Sequence, residues 1–337
     1  MIKALFRVDA GPGIGAGHMM RCLALAEAWC VRGGSVTLLT TELSQLPAGW
    51  AALGAEICGG VATGLGDAVD LTMTRDLALE INADWVVVDG YHFSESWLDA
   101  LGQSRRLLYL NDLGECDAAA ALVLNQNPGA ETRYRDAYSR CQRSLLGLDW
   151  FLLGSAWCEI NHSPEPGRLL LTLGGSSSVD LILALMRALL AIGGSFFADV
   201  VVTAPSAETS ALIGIASRHP DRFNIHQGPL FLPPLMARAA VVICGGGVTP
   251  VEALSLGAVP VILTLAENQV PGARQLATDN VARVSVADFD GIVATARMAQ
   301  DLLDDEPSRR AMAASGRRMV DGKGAQRVVQ VMIEEVL

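Results

Sequence analysis

The chain has 337 residues, 51% of them apolar, and carries 36 Asp and Glu against 25 Lys and Arg, a formal charge of -11 at pH 7. That length favours two domains, and the apolar share is ample for two packed cores. The acidity, with no cluster of five or more basic residues, argues against a nucleic-acid partner, although backbone amides can still hold a small phosphate.

Seven cysteines are scattered without a CxxC pair, a pattern of reduced thiols in a cytoplasmic protein and not of a zinc site. Arg7 and Asp9 interrupt the first apolar run, which is unlike a signal peptide. The most membrane-like stretch, 181–202, contains Arg187, Gly193-Gly194 and Asp199, so it reads as a buried helix turning into a buried strand. No membrane partner is expected, and a monomer or weak homodimer is the expected state.

In chain order, an apolar strand ends at Asp9 and a loop follows with glycines at 11, 13, 15 and 17. A helix over 18–32 has apolar residues at 19, 22, 23, 26 and 29 and stops at Gly33-Gly34. Strands are predicted at 36–40, 55–58, 85–89, 106–110 and 121–124, with helical segments at 50–53, 69–82 and 94–102. This alternation implies a mainly parallel, doubly wound sheet. The segment 161–168, with two prolines, is taken as a linker, giving domains 1–160 and 161–337. A second alternating run then begins: strand 168–173, turn 174–178, helix 179–192, strand 196–202, helix 207–217, strand 222–226 and helix 232–239. From 241 to 277 the order is strand, triple glycine, helix, Gly257, strand, and a helix entered through Asn268. The tail, 287–337, is mostly helical, and its terminal helices are candidates to pack back on the first domain.

Ligands of open parallel sheets bind beyond the carboxyl ends of the strands. Asp9, Asp89, Asp112, Asn125 and Asn127 fall at such ends; each also suits a cap or turn, but their shared rim favours a site. Tyr91 and His92 share the rim, with Tyr91 suited to lining a sugar pocket and His92 to packing. His18, at the start of a helix after a glycine-rich loop, is the candidate base, a neutral imidazole fit to take a proton from water. The loop GPGIGA also satisfies a weak dinucleotide fingerprint, with Glu42 as a ribose ligand, so a dehydrogenase stays an alternative. In the second half, the glycines after 241–244 bring a phosphate near the amides that open the helix at Thr249-Pro250. Glu252 is placed either to chelate ribose hydroxyls or to stabilise the first helical turn. Gly174, Gly175 and Ser176 form a second phosphate-facing turn, and Asn268 and Gln269 reach towards a sugar.

The stretches FRVDAGPGIGAGH (6–18), VVVDGYH (86–92), LNDL (110–113), LNQN (124–127), LTLGGSS (171–177) and GGGVTPVEALSLGAVPVIL (245–263), followed by ENQ (267–269), carry a resemblance. From 6 to about 275 the chain resembles the nucleotide-sugar hydrolases of the pseudaminic acid pathway and, more distantly, the glycosyltransferase MurG. That resemblance implies an α/β, GT-B architecture of two Rossmann-like domains facing a cleft. It also implies release of UDP from a UDP-2,4-diacetamido-2,4,6-trideoxyhexose without metal or cofactor. By it, His18 is the general base, and Asp9, Gly17, Arg21, Tyr91, Asp112, Asn125 and Asn127 bind substrate. Gly174, Gly175, Ser176, Gly246, Gly247, Val248, Thr249, Glu252, Asn268 and Gln269 bind the nucleotide. A MurG-like transferase and a non-catalytic nucleotide-sugar binder remain alternatives. The chain departs from the family at Ser177, where an aspartate is common, and at Gly154, where an arginine is, which leaves the sugar's identity open.

Overall fold

The computed structural model describes residues 2–11, 17–44, 46–59, 64–174, 179–202, 209–228 and 231–336. The chain forms two compact units, Met1–Ser155 with Gly322–Leu337, and Ala156–Asp321.

The first unit is built on seven parallel strands: β1 (Lys3–Val8), β2 (Ser35–Thr40), β3 (Glu56–Gly59), β4 (Trp85–Asp89), β5 (Arg106–Leu110), β6 (Leu122–Asn125) and β7 (Arg143–Leu146). Their order is β3-β2-β1-β4-β5-β6-β7. The central strands are continuous apolar runs because helices cover both faces of the sheet. On one face Phe6, Val8, Trp85 and Val87 pack with Leu25 and Trp29 of the helix Gly17–Val31; on the other, Leu5, Val86 and Val88 pack with Trp97 and Leu101.

The last helix, Gly324–Glu334, completes this unit. Val328, Val329 and Met332 enter the first of those cores, and the Trp85 indole donates to the Met332 carbonyl at 3.0 Å. Gly324 seats it so tightly that an added Cβ would lie 2.2 Å from the Phe151 carbonyl oxygen.

The second unit holds β8 (Arg168–Thr172), β9 (Phe197–Val202), β10 (Phe223–Gln227), β11 (Val241–Gly245), β12 (Val259–Thr264) and β13 (Arg283–Val286), in the order β10-β9-β8-β11-β12-β13, all parallel. The chain changes units at Ser155–Ala156, ahead of the proline-rich segment read as a linker. That segment is fastened within the second unit: the Ser163 and Glu165 amides donate to the Ala237 and Arg238 carbonyls, each at 2.9 Å.

Both sheets change the direction of strand order once, between β1 and β4 and between β8 and β11. At such a switch point the two adjoining loops part and leave a crevice at the carboxyl ends of the strands. His18 and Asp89 flank the first switch point; Gly174 and the triple glycine flank the second.

Candidate functional site

In the first unit, Asp89 is the last residue of β4, 1% exposed, and beside Val8 in register. His18, Arg21 and Cys22 lie one turn apart on the helix Gly17–Val31, so they form one stripe. That stripe meets Asp89. The His18 Nδ1 lies 2.6 Å from Asp89 Oδ1, the Arg21 Nε donates to Oδ2 and its Nη2 to Oδ1, both at 2.6 Å, and the Cys22 thiol donates to Oδ2 at 3.6 Å. Burial works against ionisation of Asp89, but the Arg21 charge, with the His18 contact beside it, prevails and holds its carboxyl well below the usual range. An ionised carboxylate only accepts, so in the neutral ring the His18 proton is drawn to Nδ1, which leaves Nε2 as a lone-pair acceptor.

The cluster extends outward. Arg21 Nη1 donates to both oxygens of Asp112, at 2.8 and 2.9 Å, and the Tyr91 hydroxyl donates to Asp112 Oδ2 at 2.9 Å. Asn127 Nδ2 donates to the Asp112 carbonyl at 3.1 Å. The Tyr91 ring, 56% exposed, stands edge-on to His18 with centroids 4.7 Å apart. The exposure leaves much of the ring open to solvent.

Asp9 belongs to a different network. It is buried, and its oxygens accept from Arg7 Nη1 at 2.6 Å, from the Thr41 amide and hydroxyl at 2.9 Å each, and from the Thr40 hydroxyl at 3.4 Å; His92 Nε2 lies at 3.3 Å. Burial again opposes ionisation, yet His92 and Arg7 keep this carboxyl well below its ordinary value. The other edge of Arg7 grips Asp70 at 2.8 and 2.9 Å, and Asp70 also takes the Gly66 amide at 2.9 Å. Asp9 therefore ties the ends of β1 and β2 together inside the unit. Asn125 is likewise fully buried, donating to the Tyr138 hydroxyl and accepting from the Asn127 amide. Gly17 is exposed at the helix start with open space around it. Gly13 and Gly15 of the preceding loop lie outside the described residues.

In the second unit the triple glycine follows β11 and opens the helix Thr249–Leu256. Gln269 Oε1 accepts from the Gly246 amide at 3.0 Å and the Leu265 amide at 2.9 Å, so it binds the turn to the loop after β12. A Cβ on Gly246 would lie 2.8 Å from that of Gln269. The amides of Gly247, Val248 and Thr249 meet no acceptor among the described residues, and no side chain caps the helix. These are the donors left for an anion, aided by the helix dipole.

Glu252 stands in the first turn. Burial pushes its carboxyl up to about 7, partly offset by a hydrogen bond with Thr249. Asn268, on the short turn Glu267–Gln269, is exposed, caps no helix and has no side-chain partner among the described residues. Gly174, with φ of +88°, begins the loop after β8; Gly175 and Ser176 lie outside the described residues. Replacing Gln269 by alanine is expected to speed hydrogen exchange at the Gly246 and Leu265 amides about tenfold, the loss of roughly one hydrogen bond each. Unchanged exchange would show that the turn does not lean on Gln269.

The sequence places Asp89 on the rim without naming its partner, and it does not single out Phe231. The His-x-x-Arg-Cys stripe suits a carboxylate opposite it but does not choose between Asp9 and Asp89. Phe231, 62% exposed after β10 on the rim of the second unit, has no such signal. Among the described residues no group of three or more His, Cys, Asp or Glu side chains is placed to hold a metal ion, and no helix is long and apolar enough to cross a membrane.

No protein-family model matches the chain, and no curated protein does. Solved structures do. MurG from Acinetobacter baumannii aligns with a TM-score of 0.66 at 15% identity, covering 99% of this chain and 100% of that one. The glycotransferase of kitacinnamycin aligns at 0.71 and 15%, covering 99% of each chain. The glycosyltransferase VinC, solved in complex with DTDP, aligns at 0.64 and 15%, again over 99% of each. At such identity the likeness concerns the fold, and the fold is GT-B: two Rossmann-like, doubly wound units.

Proposed function

We propose that the protein hydrolyses a UDP-activated 2,4-diacetamido-2,4,6-trideoxyhexose to free sugar and UDP, as a step in making a nonulosonic acid. The observation that carries this reading is the His18–Asp89 pair, which leaves His18 Nε2 as a base at the switch point of the first sheet. In this reading Nε2 takes a proton from water while the water oxygen bonds to the anomeric carbon. The bond from that carbon to the phosphate oxygen breaks, and the electron pair leaves with UDP. The imidazolium that forms is paired with Asp89, which was already ionised.

UDP is a good leaving group, so a second proton donor is not required, and stabilising the diphosphate suffices. The free amides at Gly247, Val248 and Thr249 are suited to that task, and Glu252 to the ribose hydroxyls. Attack opposite the leaving group inverts the anomeric centre. Because amides take the place of a cation, turnover is expected to persist in EDTA; loss of activity on chelation and its return with magnesium would contradict this.

The likeness to MurG and two other glycosyltransferases favours a second reading, transfer of the sugar to an acceptor hydroxyl activated by the same imidazole. The two separate in one experiment, a panel of UDP-sugars incubated in H2-18O without acceptor. Hydrolysis yields UDP and a free sugar carrying the heavy oxygen at its anomeric carbon. UDP release only when an acceptor is added selects transfer, and UDP binding with no release under either condition selects a binding protein.

A further inference from the structure

We infer that Arg21 is a positioning residue: its guanidinium clamps Asp89 and Asp112 together and so fixes both the base nitrogen of His18 and the ring of Tyr91. The resemblance of the sequence makes Arg21 a substrate ligand; the hydrogen bonds give it different work. A guanidinium has five N–H donors. The Nε donor and one on Nη2 go to Asp89, and Nη1 donates to both oxygens of Asp112. The second Nη2 hydrogen lies on the His18 side of the group, where the protonated Nδ1, 3.1 Å from Nη2, cannot accept it. All three nitrogens already donate to carboxylates, and the side chain is only 7% exposed, so the group is engaged inside the cluster and not presented to a sugar.

The clamp has two consequences. Asp89 is held on both oxygens, so the carboxylate that orients His18 cannot rotate away from Nδ1. Asp112, held on both oxygens by the same guanidinium, is fixed where the Tyr91 hydroxyl and the Asn127 amide reach it. The imidazole and the ring beside it are thereby set by one group. Charge adds to the argument: two carboxylates against one guanidinium leave the cluster one negative charge in excess, which the imidazolium formed in proton transfer would cancel. Lysine could supply the charge but not the planar fork.

The inference rests on the proposed reaction for its kinetic readout, but not for its spectroscopic one. In Arg21→Lys we expect kcat to fall about tenfold or more with KM within about twofold, the pattern of a group acting only on the chemical step. Guanidinium ion added to Arg21→Ala should restore part of the lost kcat. In the full chain labelled with 15N-histidine, the Nδ1 proton shared with Asp89 should give a downfield signal without substrate, and Arg21→Lys should move or abolish it. Asp112→Asn, a milder change, should shift the same signal partway. Should Arg21→Ala fail to fold, Arg21→Lys and Asp112→Asn carry the test. A raised KM at unchanged kcat, or an imidazole signal indifferent to both variants, overturns the inference. If the wild type turns over no UDP-sugar but the signal responds as described, the reaction is wrong and the clamp stands.

Discussion

His18→Ala is expected to lower kcat for UDP release by about 10²- to 10⁴-fold, the usual contribution of a positioned general base. UDP affinity, measured by calorimetry, should stay within about twofold, because the free amides and Glu252 belong to the second unit. The fold should survive, since the remaining bonds of Asp89 to Arg21 and Cys22 do not depend on the imidazole. Asp89→Asn is a harsher change of nearly the same shape. It removes the charge and turns one acceptor oxygen into an NH2 donor, so His18 and Arg21 can no longer both be met, and Arg21 keeps one carboxylate in place of two in a site where Asp89 is 1% exposed. Breaking one side of a buried ion pair costs about 3–5 kcal/mol, so this variant should lose both activity and stability. The contrast is diagnostic: turnover by His18→Ala at the wild-type rate would remove the base from the mechanism whatever Asp89→Asn does.

The two sheets were legible because their central strands are unbroken apolar runs, and β4 and β5 fall where the pattern puts them. The edge strands β7 and β13 were not. Only Leu145 of Arg143–Leu146 is buried, and none of Arg283–Val286 is, so neither carries an apolar signature. The change of unit, a few residues ahead of the proline-rich segment, is silent in the sequence for a related reason. Composition marks the prolines at 164 and 166, but the chain crosses at 155–156, where nothing in the sequence changes character.

At the candidate site, position was legible and partnership was not. Asp9 and Asp89 both end apolar strands that are neighbours in the sheet, and from sequence the two are equivalent. Which carboxylate meets the imidazole depends on the helix: its 18, 21, 22 stripe lies over β4, whereas Asp9 is claimed by Arg7 and Thr41. Gln269 gives the same lesson. The sequence offers it to a nucleotide or a sugar, and in the structure its oxygen holds two backbone amides, a role that only the turn after β11, brought beside the loop after β12, can reveal.

Glu252→Gln is expected to stabilise the protein above neutral pH while weakening its grip on UDP. In an unfolded chain this glutamate ionises near 4.5, whereas burial in the folded unit raises that to about 7. Between those values the folded state keeps a proton that the unfolded state has released, so stability falls as pH rises, and the loss is complete above about 7. The shift corresponds to roughly 3 kcal/mol at most. Glutamine has no proton to lose, so the variant should show a flat profile where the wild type declines, and the gap between them in urea should open from pH 5 to pH 8. The strain has a use if the ionised carboxylate accepts both ribose hydroxyls. UDP affinity should then climb with pH up to about 7 in the wild type and level off above, while the variant binds about 5- to 100-fold more weakly at pH 8, the loss of roughly 1–3 kcal/mol of buried hydrogen bonds. Saturating UDP should therefore narrow the gap in stability by roughly 1–3 kcal/mol, since a ligand at free concentration L stabilises the folded state by RT ln(1 + L/Kd). Parallel stability curves for the two proteins from pH 5 to pH 8, together with equal UDP affinity, would show that Glu252 neither carries this strain nor touches the nucleotide.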